Sequence, residues 1–267
     1  MNIINLEIGA MGARLRGYLH EQSESWPDYE YRPCVLVCPG GGYRFLSDRE
    51  ADPVAFEWLA QGYQVFLLWY SVGEQARDFQ PLKELSAAIT AIRRNSAEWG
   101  IDRNRVAVIG FSAGAHLTLS LGVYHDADFL KQDHGFNRPD ALILSYPVVT
   151  AGEYAHEGSF EHLSGEKRGK AWEPYSLEHF VSSSTPPCFI WHTGSDETVP
   201  VQNTLLLVNA LQNAGIPYEC HIYPKGAHGL SLCTGQVRRP GADLDPHPAT
   251  WFPLCVQWLG QLFNFTK

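Results

Sequence analysis

The sequence is short of positive charge: 20 Lys and Arg stand against 29 Asp and Glu, a net charge of -9 over 267 residues. That balance disfavours phosphate backbones and anionic lipid surfaces and removes nucleic acid from the expected partners. Long apolar runs are also missing. No stretch reaches the length of a bilayer-crossing helix, and the opening Met1-Asn-Ile-Ile-Asn-Leu-Glu7 has neither the basic start nor the apolar run of a secretion signal. The expectation is a cytoplasmic protein that does not contact membranes. The six cysteines, Cys34, Cys38, Cys188, Cys220, Cys233 and Cys255, include no Cys-x-x-Cys pair, and three sit inside apolar runs, so they are read as buried thiols. Neither an internal repeat nor a low-complexity tract is found.

What is present is a core-forming chain. With 45% of positions hydrophobic and 18% charged, it has enough apolar residues for one large domain spanning 1–267. Alternating patches at Ile3–Ile8 and Ala13–Leu19, separated by Gly9 and Gly12, read as an antiparallel pair at a sheet edge. After Pro33 the character changes. Cys34-Val-Leu-Val-Cys38 is continuously apolar, as a parallel strand covered on both faces should be, and Pro39-Gly-Gly-Gly42 ends it.

Strand-like and helix-like stretches then alternate: helix 52–61, strand 64–70, helix 81–99, strand 106–109, helix 113–121, strands 141–145 and 187–193, helix 201–214, strand 218–223 and helix 250–263. This rhythm predicts an α/β fold, a mostly parallel central sheet with helices on both faces. Two segments break it. Residues 149–186 have no clear period and read as a small, partly helical cap, and residues 229–248, with Arg238, Arg239 and three prolines, read as a loop bordering the site.

The chemistry-bearing pattern is Gly110-Phe-Ser112-Ala-Gly114, set between an apolar strand and a helix. In a chain with 24 glycines the five-residue pattern alone is weak, and its strand–turn–helix placement is what carries the argument. The turn must be tight enough to present Ser112 Oγ above the C-terminal edge of the sheet, and side chains at the flanking positions would clash. A serine hydroxyl needs a histidine to take its proton, and that histidine needs a carboxylate. His228, in the glycine-flanked Lys225-Gly-Ala-His228-Gly loop after the last strand, is the candidate base, with His247 the weaker competitor. Asp196, in the loop after strand 187–193, is the candidate acid, with adjacent Glu197 the alternative. Backbone N–H groups of Gly41, Gly42 and Ala113 are the candidate oxyanion donors. The rival reading of the glycines, a phosphate cradle, fails because no Gly-Lys-Ser/Thr follows and the spacing is not Gly-x-Gly-x-x-Gly.

Pro39-Gly-Gly-Gly-Tyr43, Gly110-Phe-Ser-Ala-Gly-Ala-His116, Glu173-Pro-Tyr-Ser176, Trp191-His-Thr-Gly-Ser-Asp-Glu-Thr-Val-Pro200 and Gly226-Ala-His-Gly229 occur in this order. Together they resemble the α/β-hydrolase esterases, in particular bacterial acetyl-xylan esterase-like enzymes acting on short acyl groups. The resemblance implies an α/β-hydrolase fold, the Ser112, Asp196 and His228 triad, no cofactor, and small-acyl esters as substrates, with acetylated oligosaccharides preferred. Pro39 replaces the histidine that often precedes the three glycines, which removes one polar group from that loop.

Some readings stay open at this level. Tyr43, Trp172, Tyr175 and Trp191 sit in or beside loops that should approach Ser112, as sugar-stacking platforms or as lid packing. His156, His162 and His179 lack metal-ligand spacing, so no metal is expected. Hydrolysis of an amide bond, as in a formamidase or small peptidase, and a catalytically silent binding module on the same scaffold are the alternatives to an esterase. A homo-oligomer is compatible with all three.

Overall fold

The computed structural model describes residues 1–22, 30–241 and 245–265; residues 242–244, within the second irregular segment, lie outside the described residues. Among the described residues eight strands form one sheet: β1 (Asn2–Ile8), β2 (Ala13–Leu19), β3 (Arg32–Cys38), β4 (Gln64–Trp69), β5 (Ile101–Phe111), β6 (Ala141–Ser145), β7 (Cys188–Thr193) and β8 (Tyr218–Tyr223). Their spatial order is β1-β2-β4-β3-β5-β6-β7-β8. The β1–β2 and β2–β4 pairs are antiparallel and every other pair is parallel. This is the mostly parallel α/β sheet expected from the alternation, including the antiparallel edge, and the α/β-hydrolase architecture that the resemblance implies.

The continuous apolar runs have a direct explanation. Along β3, Val35 and Val37 point into one core layer with Val65, Leu67, Ala107 and Ile109, while Cys34, Leu36 and Cys38 point into the other with Phe66, Leu68, Val106 and Val108. Both faces are dry, so no polar alternation is tolerated. Helices α1 (Asp52–Ala60) and α6 (Trp251–Leu262) cover the first layer through Val54, Trp58, Trp251 and Cys255. Helices α2 (Gln80–Arg94), α3 (Ala113–Tyr124) and α5 (Gln202–Ala214) cover the opposite face through Leu85, Leu117, Leu119 and Leu207. Residues 113–123 of α3 are all buried, which is why that helix is apolar all round.

Two boundaries differ from the sequence reading by five residues. β5 begins five residues before its apolar run, because Ile101 bridges to Arg32 ahead of a register shift and the polar Asp102–Arg105 segment continues the extended chain. Helix α2 stops at Arg94 rather than Trp99. The segment 149–186 holds one short helix, α4 (Glu157–Ser164), and 3-10 turns at Lys170–Tyr175 and Leu177–His179. All six cysteines are free, five of them buried and Cys220 half-buried. Among the described residues no helix is long and apolar enough to cross a membrane.

Candidate active site

Four loops meet at the C-terminal edge of the sheet: those after β3, β5, β7 and β8. β5 pairs directly with β3, so the glycine loop after Cys38 lies beside Ser112. Ser112 joins β5 to α3 with φ 55° and ψ -117°, a conformation that L residues rarely adopt. It is held from outside by Ser112 N donating to Ser145 O at 2.9 Å and by Val148 N donating to Ser112 O at 3.3 Å. A Cβ on Gly110 would fall 2.2 Å from Gly114 O, and one on Gly114 would fall 2.2 Å from Cys38 O. Both flanking positions therefore exclude a side chain, as the turn argument requires.

Ser112 Oγ lies 2.7 Å from His228 Nε2, and His228 Nδ1 lies 2.7 Å from Asp196 Oδ2. Because the carboxylate can only accept, Nδ1 carries the proton and Nε2 is left free to accept from the serine hydroxyl. Asp196 is fixed independently of that bond. Its Oδ1 accepts from Thr198 N and Val199 N, both at 2.9 Å, and buried His192 brings Nε2 to 3.3 Å from Oδ2. Burial pushes the Asp196 carboxyl upward, but the hydrogen bonds from His192 and His228, the charge of His228 and the Val199 N–H outweigh it and hold the group well below the usual carboxylate range. The acid is therefore ionised wherever the protein is folded at ordinary pH. Glu197 and His247 take no part in this chain.

The glycine loop is braced from below. Gly40 N donates to buried Glu50 Oε2 at 2.9 Å, and Glu50 Oε1 accepts from Tyr146 Oη at 2.6 Å. Tyr146 Oη in turn accepts from Ser231 N at 3.0 Å, three residues past His228, and the Tyr146 ring meets the His228 ring edge-on at 5.0 Å. Gly41 has φ 133°, and a Cβ there would sit 1.9 Å from Phe45 O. The N–H groups of Gly41, Gly42 and Ala113 have no hydrogen-bond partner among the described residues. Ala113 is the first residue of α3, where an unpaired N–H and the positive end of the helix coincide.

Ser112 and His228 open into a cavity of about 740 Å³, lined by Gly41, Gly42, Arg44, Phe45, Arg49, His156, His162 and Arg239 among others. Tyr43, Trp172, Tyr175 and Trp191 do not line it, and the stacking role considered for them is corrected here. All four are buried, with their polar atoms engaged inside the fold. Tyr43 Oη bonds His116 Nδ1, Trp172 Nε1 donates to Glu166 O, Tyr175 Oη donates to Leu163 O, and Trp191 Nε1 donates to Ser145 Oγ. Trp191 also stacks on Trp251 at 5.1 Å. Lying beside a loop in sequence put these rings under the site rather than in it. Among the described residues no three His, Cys, Asp or Glu side chains gather as metal ligands would.

The sequence reading missed Glu50, Tyr146 and His192, which hold the constellation, and Arg44, Phe45, Arg49 and Arg239, which wall the cavity. His156 and His162, whose spacing excludes a metal site in the sequence, also stand on the cavity wall. Glu50 sits in a polar Ser-Asp-Arg-Glu stretch that looks solvated, and only its contact with Tyr146, 96 positions away, reveals its place. Arg239 belongs to the 229–248 loop that the sequence places beside the site, and nothing local in that loop marks it as a cavity residue.

An elbow serine, a histidine and an aspartate at the C-terminal edge of an eight-stranded, mostly parallel sheet define the class of α/β hydrolases. The BD-FAE family model matches residues 25–149. Over 99% of both chains, at 33% identity and a TM-score of 0.83, the structure is similar to MGS-M1, an α/β-hydrolase enzyme from a Medee basin deep-sea metagenome library. An acetyl ester-xyloside bifunctional hydrolase from Caldicellulosiruptor lactoaceticus is 34% identical over 97% of this chain and 91% of its own, with a TM-score of 0.82. An acetylxylan esterase of Xylanibacter ruminicola is 31% identical over 87% of this chain and 45% of its own length. The chain spans between a third and a half of the length of the first curated relatives it matches. It belongs to the α/β-hydrolase family.

Proposed function

We infer that this protein is a serine carboxylic ester hydrolase that removes acetyl or other short acyl groups from carbohydrate esters. The observation that carries the chemistry is the unbroken relay from Ser112 Oγ through His228 to Asp196, two contacts of 2.7 Å opening on the cavity. In this reading Ser112 Oγ attacks the ester carbonyl while its proton passes to His228 Nε2. The carbonyl oxygen becomes an oxyanion held by the N–H groups of Gly41, Gly42 and Ala113. Collapse of the intermediate breaks the C–O bond to the alcohol, which leaves with the proton from His228. A water then repeats the sequence on the acyl-Ser112 ester, giving the acid and the free serine.

The carbohydrate half rests on the named activities of the relatives and on the cap. His156 and His162 have Nδ1 engaged by Ser159 Oγ and Gly158 O, which leaves Nε2 of each for sugar hydroxyls. The proposal also takes 1–267 as one domain with 149–186 as its cap, working in the cytoplasm on small esters, alone or as a homo-oligomer. Fractionation and sedimentation test those last points.

Acetate release from acetylated xylo-oligosaccharides, beside hydrolysis of p-nitrophenyl acetate, butyrate and octanoate, tests the reading. Short-acyl preference with sugar deacetylation is expected, and Ser112→Ala should abolish both while leaving folding intact. A strongly active Ser112→Ala protein refutes the serine assignment. Matched amides should react far more slowly than the esters, and the reverse order would favour an amidase.

A further inference from the structure

The cavity over Ser112 adjoins a second one of about 340 Å³, and the two share Arg49, His228, Gly229 and Arg239. Among the described residues, Arg44, Arg49, Lys225, Arg238 and Arg239 line this joint cleft, against the carboxylates Asp48, Glu50 and Asp245. Glu50 is already committed to Gly40 N and Tyr146 Oη. In a protein of net charge -9 this is a local reversal of sign. The centre of the reversal is Gly229, which follows His228. A terminal nitrogen of Arg239 lies 2.9 Å, and one of Arg49 3.5 Å, from the point a Cβ on Gly229 would occupy.

Arg49 is fixed there by donating its other terminal nitrogen to Val237 O at 2.8 Å. Among the described residues neither arginine forms an ion pair with a carboxylate. Two like charges brought together without a counterion repel, and a convergent pair of guanidinium forks is a receptor for an oxyanion. His228 hands its proton to the leaving alcohol, so groups beside the His228 loop face the alcohol half of the ester.

We propose that the Arg49 and Arg239 pair binds an anionic group, a carboxylate or a phosphate, on the alcohol half of the ester, so that this enzyme deacylates acidic sugars in preference to neutral ones. This rests on the esterase reading above and names its substrate class. Arg49 and Arg239 act here as specificity-determining residues. The cleft also draws the anion in against the protein's overall charge, as a cationic pocket focuses its field.

The test compares kcat/KM for mono-O-acetylated glucose, glucuronic acid and glucose 6-phosphate, with p-nitrophenyl acetate as a neutral reference. The expected result is an advantage of about tenfold or more for one charged ester, expressed in KM and shrinking as salt is raised. Which charged ester leads identifies carboxylate or phosphate. Arg239→Gln should bring the charged-to-neutral ratio toward one, and Arg239→Lys should keep part of it. Equal kcat/KM for the three sugars with p-nitrophenyl acetate still turned over overturns the anion site and leaves the esterase standing. Failure on all four esters overturns both.

Discussion

Tyr146→Phe removes one oxygen and keeps the ring, and the structure makes that oxygen the joint between two halves of the site. It donates to Glu50 Oε1 at 2.6 Å and accepts from Ser231 N at 3.0 Å. Without it a buried N–H is orphaned, at about 1–3 kcal/mol, and a buried carboxylate loses one of its two donors. The ring still packs against Trp191 and His228, so no large cavity is added. The sum is about 2–4 kcal/mol of stability, and at about 3 °C per kcal/mol for a chain of this size the melting temperature should fall by about 6–12 °C. Because Glu50 holds the loop carrying Gly41 and Ser231 lies in the loop carrying His228, kcat on p-nitrophenyl acetate should fall as well, by roughly tenfold. Circular dichroism melting and initial rates on the same preparation measure both. A melting temperature within about 1 °C of the parent, with kcat unchanged, refutes the bracing role.

Four other perturbations follow from the same geometry. Asp196→Asn removes the charge opposite His228 Nδ1 and permits the wrong tautomer, so kcat should drop by about three to four orders of magnitude with little change in KM, read from steady-state kinetics. Buried His116, pushed down by desolvation to about 4 from 6.5 despite its bond to Tyr175 O, takes up its proton more readily in the unfolded chain. Stability should therefore be complete above pH 6.5 and fall as pH drops toward 4, by up to about 3 kcal/mol, and urea midpoints that do not move across that window would falsify this. Gly114→Ala places a Cβ 2.2 Å from Cys38 O and 2.4 Å from Pro39 O, and should cost more than about 3 kcal/mol or prevent folding. Gly235→Ala, in open space, should be close to neutral by the same denaturation assay.

The sheet was legible because its central strands are dry on both faces. Runs such as Cys34–Cys38 and Val106–Ile109 advertise that burial directly, and the glycines around Ser112 advertise the tight turn. What failed to read out was tertiary. Trp172 and Tyr175 look like loop aromatics until Glu166 O and Leu163 O are seen to accept from them. Glu50 looks like a surface acid until Tyr146 arrives from the end of β6, two strands over from β3. Asp102–Arg105 looks like a loop because strand extension there rests on backbone pairing with Arg32 and not on apolar side chains. Arg49 and Arg239 lie 190 positions apart, and no local pattern links them.

The Glu50–Tyr146 joint has a consequence for how such a protein diverges. The groups that perform the chemistry are tied to the sheet and to one another, and a change in any of them disturbs the rest. Of the residues lining the cavity, His156 and His162 of the 149–186 segment and Arg239 of the loop after β8 make no bond to that joint. Substitutions there can alter which alcohol is accepted while the bond-breaking apparatus stays as it is, so neighbouring lineages can share one reaction and differ in diet.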